Sequence, residues 1–462
     1  MAQKFLEKGY EVCQIEENPD VVVVNTCTVT NIADRKSRQV LRKVKDENPN
    51  SIVIAVGCYV QVAKEKVDEM EEIDLCLGNV EKKDIVSKFE EYIEKNKKEN
   101  TEIIDVNKET EFQEMGYITF SEKTRATVKV QDGCNNFCTY CLIPYARGRI
   151  RSRKRENIIE EVKKIAQKGI KEIVITGIHI ASYGKDFEDD YRLINLLEDL
   201  DKIDGIERIR LGSLEPTIVT EEFAERLSKL NSICDQFHLS LQSGCDDTLK
   251  RMNRKYSCDE FFWVTEILRK YFKNVNLTTD IIVGFPGETE AEFQKTYEFL
   301  SKIRFYKMHI FKYSPREGTI AAKMTNQIDG NIKEERSNKL IELSNKNEKE
   351  YNESYIGKCV DVLFEEEKDG VWSGYTKNYV RVFYKSGENL ENKIISVKIS
   401  EIYELRIDGL NIKFRIGGSS FRQKRMSLLK ILFDKIPLDN SIKYYIMTNI
   451  VFNLRIRGKY EK

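Results

Sequence analysis

No apolar run in these 462 residues is long enough to span a bilayer, and the start lacks the charged-then-apolar pattern of an export signal. The expectation is a cytoplasmic protein with no integral membrane association. Net charge is absent as well: 76 Lys and Arg balance 76 Asp and Glu. That excludes a uniformly basic nucleic-acid binder, but the balance is uneven along the chain. Residues 411–462 hold 12 cations against 3 anions, a basic tail on an acidic body that hints at an anionic partner such as RNA, or at a merely solvated end. Internal repeats and low-complexity tracts are missing. Histidine is scarce, with only His179, His238 and His309, none near another.

The chain is too long for one core, so two to four domains are expected. VVVVNT (21–26) and SIVIAVGC (51–58) are buried-strand runs, each followed by a helical pattern. Alternation of this kind predicts an α/β unit with a parallel sheet over residues 1–112. Its opening stretch, MAQKFLEKGYEV, reads as a helix, so the unit is expected to lack its first strand. Residues 93–123 are polar and read as a connection. Six strand candidates follow: ATVKVQDG (126–133), EIVITG (172–177), RIRLGSL (208–214), QFHLSLQSG (236–244), LTTDIIVGF (277–285) and YKMHIFKYS (306–314). With helical patterns between them, they predict a partial (β/α)6 barrel over 124–354, its chemistry at the carboxyl ends of the strands. Short alternating strands over 356–410 predict a small OB-like β-barrel. The tail from 411 to 462 mixes apolar stretches, MSLLKILF and YYIMTNIVF, with cations, and its role is open.

Eleven cysteines in a reducing compartment do not suggest disulfides, so local clustering points to metal or redox chemistry. Cys134, Cys138 and Cys141 lie in QDGCNNFCTYCLIPYARG, directly after the first barrel strand. A structural zinc site needs four ligands, and no fourth Cys or His lies nearby. Three thiolates on a four-iron cube would leave one iron open to a substrate or cofactor. Three buried structural cysteines are the bland alternative, a poor one in a stretch rich in Asn, Thr and Tyr.

CNNFCTYC is similar to the C-x3-C-x2-C signature of radical S-adenosylmethionine (SAM) enzymes. The longer stretch QDGCNNFCTYCLIPYARGRIRSR resembles their methylthiotransferase family. So do NTCTVTN (25–31), GCYVQ (57–61), HIASYG (179–184), IRLGSLEP (209–216), HLSLQSG (238–244), DIIVGFPGET (280–289), YSPREGT (313–319) and GYTKNYVRV (374–382). The resemblance runs from residue 1 to about 410. It implies a [4Fe–4S] cluster on Cys134, Cys138 and Cys141, with SAM on the open iron. It also implies a flavodoxin- or ferredoxin-like electron donor, and an RNA-binding TRAM domain over 356–410. The wording of NTCTVTNIADRKSRQ, QDGCN, SYG and SLEP looks most like the branch acting on N6-threonylcarbamoyladenosine (t6A) beside the tRNA anticodon. Isopentenyladenosine in tRNA, an aspartate of a ribosomal protein, and a non-catalytic RNA-binding role are the alternatives.

The family holds a second [4Fe–4S] cluster on three cysteines of its N-terminal domain. Cys27 and Cys58 match two of them. The third has no counterpart here, and Cys13 matches no motif. By the same resemblance Thr176 and Gly177 approach the amino group of SAM. Ser213, Glu215 and Gln242, at later strand ends, are candidates for its methionine and ribose parts, and Gly284 for its adenine face. Ordinary loop structure is the rival reading for each. Arg147, Arg149, Arg151 and Arg153, in the basic run RGRIRSRKR, are candidate contacts for tRNA phosphates. Tyr375, Tyr379 and Phe383 are candidates to stack on bases, or else core. Cys76, Cys234, Cys245, Cys258 and Cys359 read as ordinary small residues.

Overall fold

The computed structural model describes residues 1–28, 31–95, 103–116, 124–407, 410–417 and 450–455, with the side chains of 403–417, 450–453 and 455 excepted. Four strands open the chain: β1 (Glu11–Cys13), β2 (Val21–Thr26), β3 (Ile52–Gly57) and β4 (Leu75–Leu77). β2, β3 and β4 pair in parallel. The unbroken valine run of β2 has a physical reason: both faces of this sheet are covered. The helix Asn31–Glu47 packs Leu41 and Val44 against Val22, Val24 and Val53 on one side. The helices Ala2–Glu7 and Ile85–Lys95 bring Phe5 and Phe89 onto Val21, Val23 and Ile54 on the other.

The place beside β2, expected to lack a strand, holds one from the far end of the chain. Ile450–Arg455 pairs antiparallel with β2 on one side and with β1 on the other. An unpaired edge on so apolar a strand would leave its N–H and C=O groups without partners. Leu454 is fully buried in the Phe5, Tyr10 and Phe89 cluster. The stretch MSLLKILF lies outside the described residues.

The barrel comprises β5 (Arg125–Asp132), β7 (Glu172–Gly177), β8 (Arg208–Leu211), β9 (Gln236–Gln242), β10 (Asn276–Val283) and β11 (Lys307–Lys312), with the short β6 (Arg151–Ser152) antiparallel on the outer edge of β5. β5, β7 and β8 pair in parallel, as do β9, β10 and β11. Isolated parallel bridges, Ile209 to Ile233 and Leu214 to Leu239, join the two groups into one curled half-barrel. All six expected strands are present, in chain order. Alternate residues such as Val128, Val130, Ile173, Ile175 and Leu239 pack outward onto the helices. Lys129, Gln131, Glu172, Thr176, Arg210 and His238 occupy the opposite positions, so the lumen is polar.

A third sheet contains β12 (Cys359–Lys368), β13 (Val371–Thr376), β14 (Arg381–Lys385), β15 (Ile394–Lys398), β16 (Glu401–Ile407) and β17 (Leu410–Gly417), in the order β15–β12–β13–β14–β17–β16. It docks on the amino-terminal ends of the barrel strands. Arg208 donates to the carbonyls of Tyr375 (2.8 Å) and Asp361 (3.1 Å), and Arg125 pairs with Glu365 at 2.7 Å. The Tyr375 and Tyr379 rings stack at 4.6 Å, beneath Arg125 and Arg210. These two rings are therefore committed to the barrel floor rather than open to bases, and Arg381 lies over Phe383. Among the described residues no helix is long and apolar enough to cross a membrane.

Leu454→Ala empties a filled site in the first sheet, at an expected loss of about 3 kcal/mol. Hydrogen exchange across Val21–Thr26 will rise in this variant. Unchanged protection there would show that Ile450–Arg455 does not complete the sheet.

Candidate active site

The cysteine loop is built on the end of β5. Gln131 accepts from the His179 backbone N–H at 2.7 Å and donates to the carbonyls of Asp132 and Gly133 at 2.7 and 2.8 Å. Gly133 has φ of +74°, and a Cβ there would lie 1.7 Å from the Arg149 carbonyl oxygen. Only glycine permits this crossing, which lets Cys134 N–H bond the Gly148 carbonyl at 3.0 Å. Thr139 and Asn253 tie the loop's far side to the segment after β9.

Each of the three sulfurs receives one N–H. Asn136 donates to Cys134 at 3.5 Å, Arg254 Nη1 to Cys138 at 3.3 Å, and Ile143 to Cys141 at 3.4 Å. Donors aimed at sulfur are what a set of cluster thiolates calls for. Burial pushes the Cys141 thiol up to about 12 and raises that of Cys134. A soft metal entering this loop therefore displaces protons.

Arg254 joins the loop to the later strands. It donates to Glu215 at 2.8 Å, to the Ser240 carbonyl at 3.0 Å and to the Tyr256 hydroxyl at 2.9 Å. Burial works against the Glu215 carboxylate, yet His179 and Arg254 hold it below the usual range. Glu215 is thus brought to the triplet. Thr176 and Gly177 lie beside Lys129 and Gln131 in register. Ser213 is exposed, and Gln242 ends β9 with φ of +71°. Gly284 differs from expectation: its open side is taken by the Lys333 side chain, and its N–H bonds Glu288 at 2.6 Å. His179, Arg254 and Asp132 had not been singled out. HIASYG holds one of three histidines in the chain, but nothing in RMNRKY marks Arg254.

Cys27 follows β2 and Cys58 follows β3, so both sit at the carboxyl edge of the first sheet. That edge faces the barrel mouth. Arg147 Nε donates to Cys58 Sγ at 3.1 Å, and its Nη1 to Asp132 at 3.5 Å. Asn79 Nδ2 donates to the Ala146 carbonyl at 2.7 Å and to Cys58 Sγ at 3.5 Å. Beside Cys27, Arg316 of the loop after β11 reaches Thr28 Oγ1 at 2.6 Å and Asp34 at 3.0 Å. Cys13 lies across the inserted strand, level with Val22 rather than with the Thr26 end. Burial opposes ionisation of Cys58, but Arg147, Lys82 and Asn79 outweigh it and lower the thiol. Burial also works against Asp132, and Lys129, Arg147 and Arg151 hold it far below the carboxylate range. Lys82, itself buried beside Arg147, is lowered to about 7.

Three of the four arginines expected on RNA are turned inward. Arg147 serves Cys58 and Asp132. Arg151 donates to the Arg147 carbonyl at 2.8 Å, and Arg153 pairs with Glu114 and Glu161. Arg149 is exposed, its guanidinium 4.7 Å from the Phe137 ring centre. The run reads as a phosphate patch in sequence because the carboxylates and thiol that face it come from other elements.

A half-barrel with three cysteines at the end of its first strand defines a class, the radical SAM enzymes. Residues 128–300 match the model of the Radical SAM superfamily, and residues 1–78 that of Uncharacterized protein family UPF0004. The chain is 40% identical over 403 residues to the threonylcarbamoyladenosine tRNA methylthiotransferase MtaB of Bacillus subtilis (strain 168), covering 86% of this chain and 89% of that protein. It is 36% identical over 411 residues to the tRNA-2-methylthio-N(6)-dimethylallyladenosine synthase of Clostridium novyi (strain NT), covering 87% and 90%. The chain belongs to the radical SAM methylthiotransferase family. Among solved structures, the radical SAM methyltransferase TsrM from Kitasatospora setae superposes with a TM-score of 0.51 at 12% identity, over 67% of this chain and 65% of that one, a likeness of fold alone.

Arg147→Gln removes the nearest cation from Cys58. The thiol's pKa will rise, so alkylation of Cys58 in cluster-free protein near pH 7 will slow. An unchanged rate would mean that Arg147 does not hold the thiolate.

Proposed function

We propose that this chain transfers a methylthio group to C2 of N6-threonylcarbamoyladenosine at position 37 of tRNA. The observation that carries the reading is the cysteine triplet at the end of the first barrel strand, with Arg147 tying Asp132, just before it, to Cys58 at the edge of the first sheet. The similarity to MtaB over nearly its whole length favours t6A as the substrate. Residues 1–112, 124–354 and 356–410 are assigned as the N-terminal, radical SAM and TRAM-like RNA-binding domains.

In this reading Cys134, Cys138 and Cys141 hold a [4Fe–4S] cluster. When bound, it and SAM supply reductive cleavage to methionine and a 5′-deoxyadenosyl radical, the reagent that an unactivated C2–H requires. The chain's own contribution is positioning. Asn136, Ile143 and Arg254 supply N–H groups to the sulfurs, and the Arg254–Glu215 pair fixes the strand ends where Thr176, Gly177, Ser213 and Gln242 would meet SAM. Cys27 and Cys58 would hold the sulfur-donating centre. They furnish two thiolates where the family uses three, so no step is derived through a second cluster. Arg149, on the rim beside the triplet, is the candidate phosphate contact. Electrons would come from a flavodoxin- or ferredoxin-like donor in the cytoplasm.

Nucleoside mass analysis of tRNA from a strain lacking the gene tests this. Methylthio-t6A will disappear, and will return with the wild-type gene but not with Cys134→Ala. Reconstituted Cys134→Ala protein will lack about four irons per chain, one cluster's worth. An unchanged methylthio-t6A level with loss of the methylthio-dimethylallyl nucleoside would assign the chain to the other branch.

A further inference from the structure

The turn that carries the triplet also carries a ring that thiolate ligands do not need. Phe137, directly before Cys138, has φ of +48°. A bulky side chain in that region is an outlier, and Gly or Asn makes the same turn with less strain. The backbone is held there from outside: Asn253 Nδ2 donates to the carbonyls of Asn136 at 3.3 Å and Phe137 at 3.0 Å. Core packing does not account for the ring either. Phe137 is only half-buried, and it meets Tyr145 edge-on at 6.0 Å and the Arg149 guanidinium 4.7 Å from its ring centre. Both of these neighbours are exposed. Tyr145 is 49% exposed, although Pro144 and Ala146 on either side of it are buried. Two ties bring Arg149 over the ring: Cys134 N–H to the Gly148 carbonyl at 3.0 Å, and Ile150 N–H to Asn135 Oδ1 at 3.3 Å. Arg149 has no carboxylate partner among the described residues.

Two rings and a cation, set together on the rim beside the triplet, suit a ligand with a flat face and a negative backbone. Aromatic rings and guanidinium planes stack on any nucleobase. In the tRNA reading the anticodon loop presents such a face. C2 lies on the edge of the purine, inside the stacked loop. A base drawn out of that stack toward the triplet leaves its neighbour with one face uncovered. We propose that Tyr145 and Arg149, braced by Phe137, form a platform on which a base adjacent to nucleotide 37 stacks. The N–H edge of Arg149 stays open to a phosphate of the same strand. The proposal rests on the tRNA reading and names the residues that hold the loop open.

The test uses the reconstituted full chain and three anticodon stem–loops carrying t6A at position 37: one intact, one abasic at 36 and one abasic at 38. Binding is measured by fluorescence anisotropy, and product by nucleoside mass analysis. Wild-type protein will bind one of the abasic RNAs about tenfold more weakly than the intact one, the scale of a single base–aromatic stack. Tyr145→Ala will lose about as much on the intact RNA and nothing further on that abasic one, the non-additivity expected of a direct contact. Tyr145→Phe, which keeps the ring, will bind like wild type. Phe137→Leu, with its iron content checked against wild type, will reproduce the loss because Arg149 is no longer braced. If wild type makes methylthio-t6A yet binds all three RNAs equally, the proposal falls though the activity stands. If Tyr145→Ala weakens intact and abasic RNAs by the same factor, Tyr145 acts through the fold, and the proposal falls. If wild type leaves t6A unmodified, the t6A reading fails, and the same cycle on dimethylallyladenosine stem–loops decides the platform. If it binds none of these RNAs, both fall.

Discussion

Arg147 donates to Cys58 at the end of one sheet and to Asp132 at the end of another. Remove that guanidinium and the first sheet loses its charged tie from Cys58 to the barrel mouth. The surrounding geometry serves this contact. Gly133 lets the chain cross itself so that the helix Ile143–Arg147 returns over β5. Asn79 clamps the helix's Ala146 carbonyl, and Arg316 ties the loop after β11 to the loop after Cys27. A buried ion pair is weak evidence for stability, because desolvation offsets most of its attraction. Its value here is registry, since it sets which edge of the first sheet faces which end of the barrel.

The opposite end of the barrel uses the same device. Glu172 takes Arg210 at 2.8 Å and has Arg208 and Arg125 within 4 Å. Those arginines continue onto the Tyr375 and Asp361 carbonyls and the Tyr379 ring. The floor is thereby closed by the third sheet, which leaves the mouth as the approach to the triplet.

Much of this was legible in the sequence. The six barrel strands follow from alternation of apolar residues, and the triplet from its spacing. Cys27 and Cys58 were marked by the family resemblance, since a Cys after a strand run is by itself a weak signal. Local pattern could not show pairing between distant elements. VVVVNT gives no sign that its neighbour is Ile450–Arg455. RGRIRSRKR reads as a patch for tRNA phosphates because Cys58, Asp132, Glu114 and Glu161 lie elsewhere in the chain. Tyr375 and Tyr379 alternate as base-stacking residues do, yet their partners are Arg125 and Arg210. Gly284 looked open because Lys333 approaches it from the later helix Gly330–Glu353. In each case the missing term was a charge or ring supplied from far along the sequence.

The two thiol sets also differ in the charge around them. At the triplet, Arg254 is neutralised by Glu215, and burial keeps the Cys134 and Cys141 thiols protonated in the absence of metal. At Cys58 the cations exceed the carboxylates, and the thiol is lowered. An anion entering the chamber is therefore drawn toward the first sheet, away from the triplet. Fields of this kind act most strongly where protein walls exclude water. The polarity is set by residues on three separate elements, Lys82 in the first unit, Arg147 after the triplet and Arg254 after β9, and it exists only when the two sheets are docked.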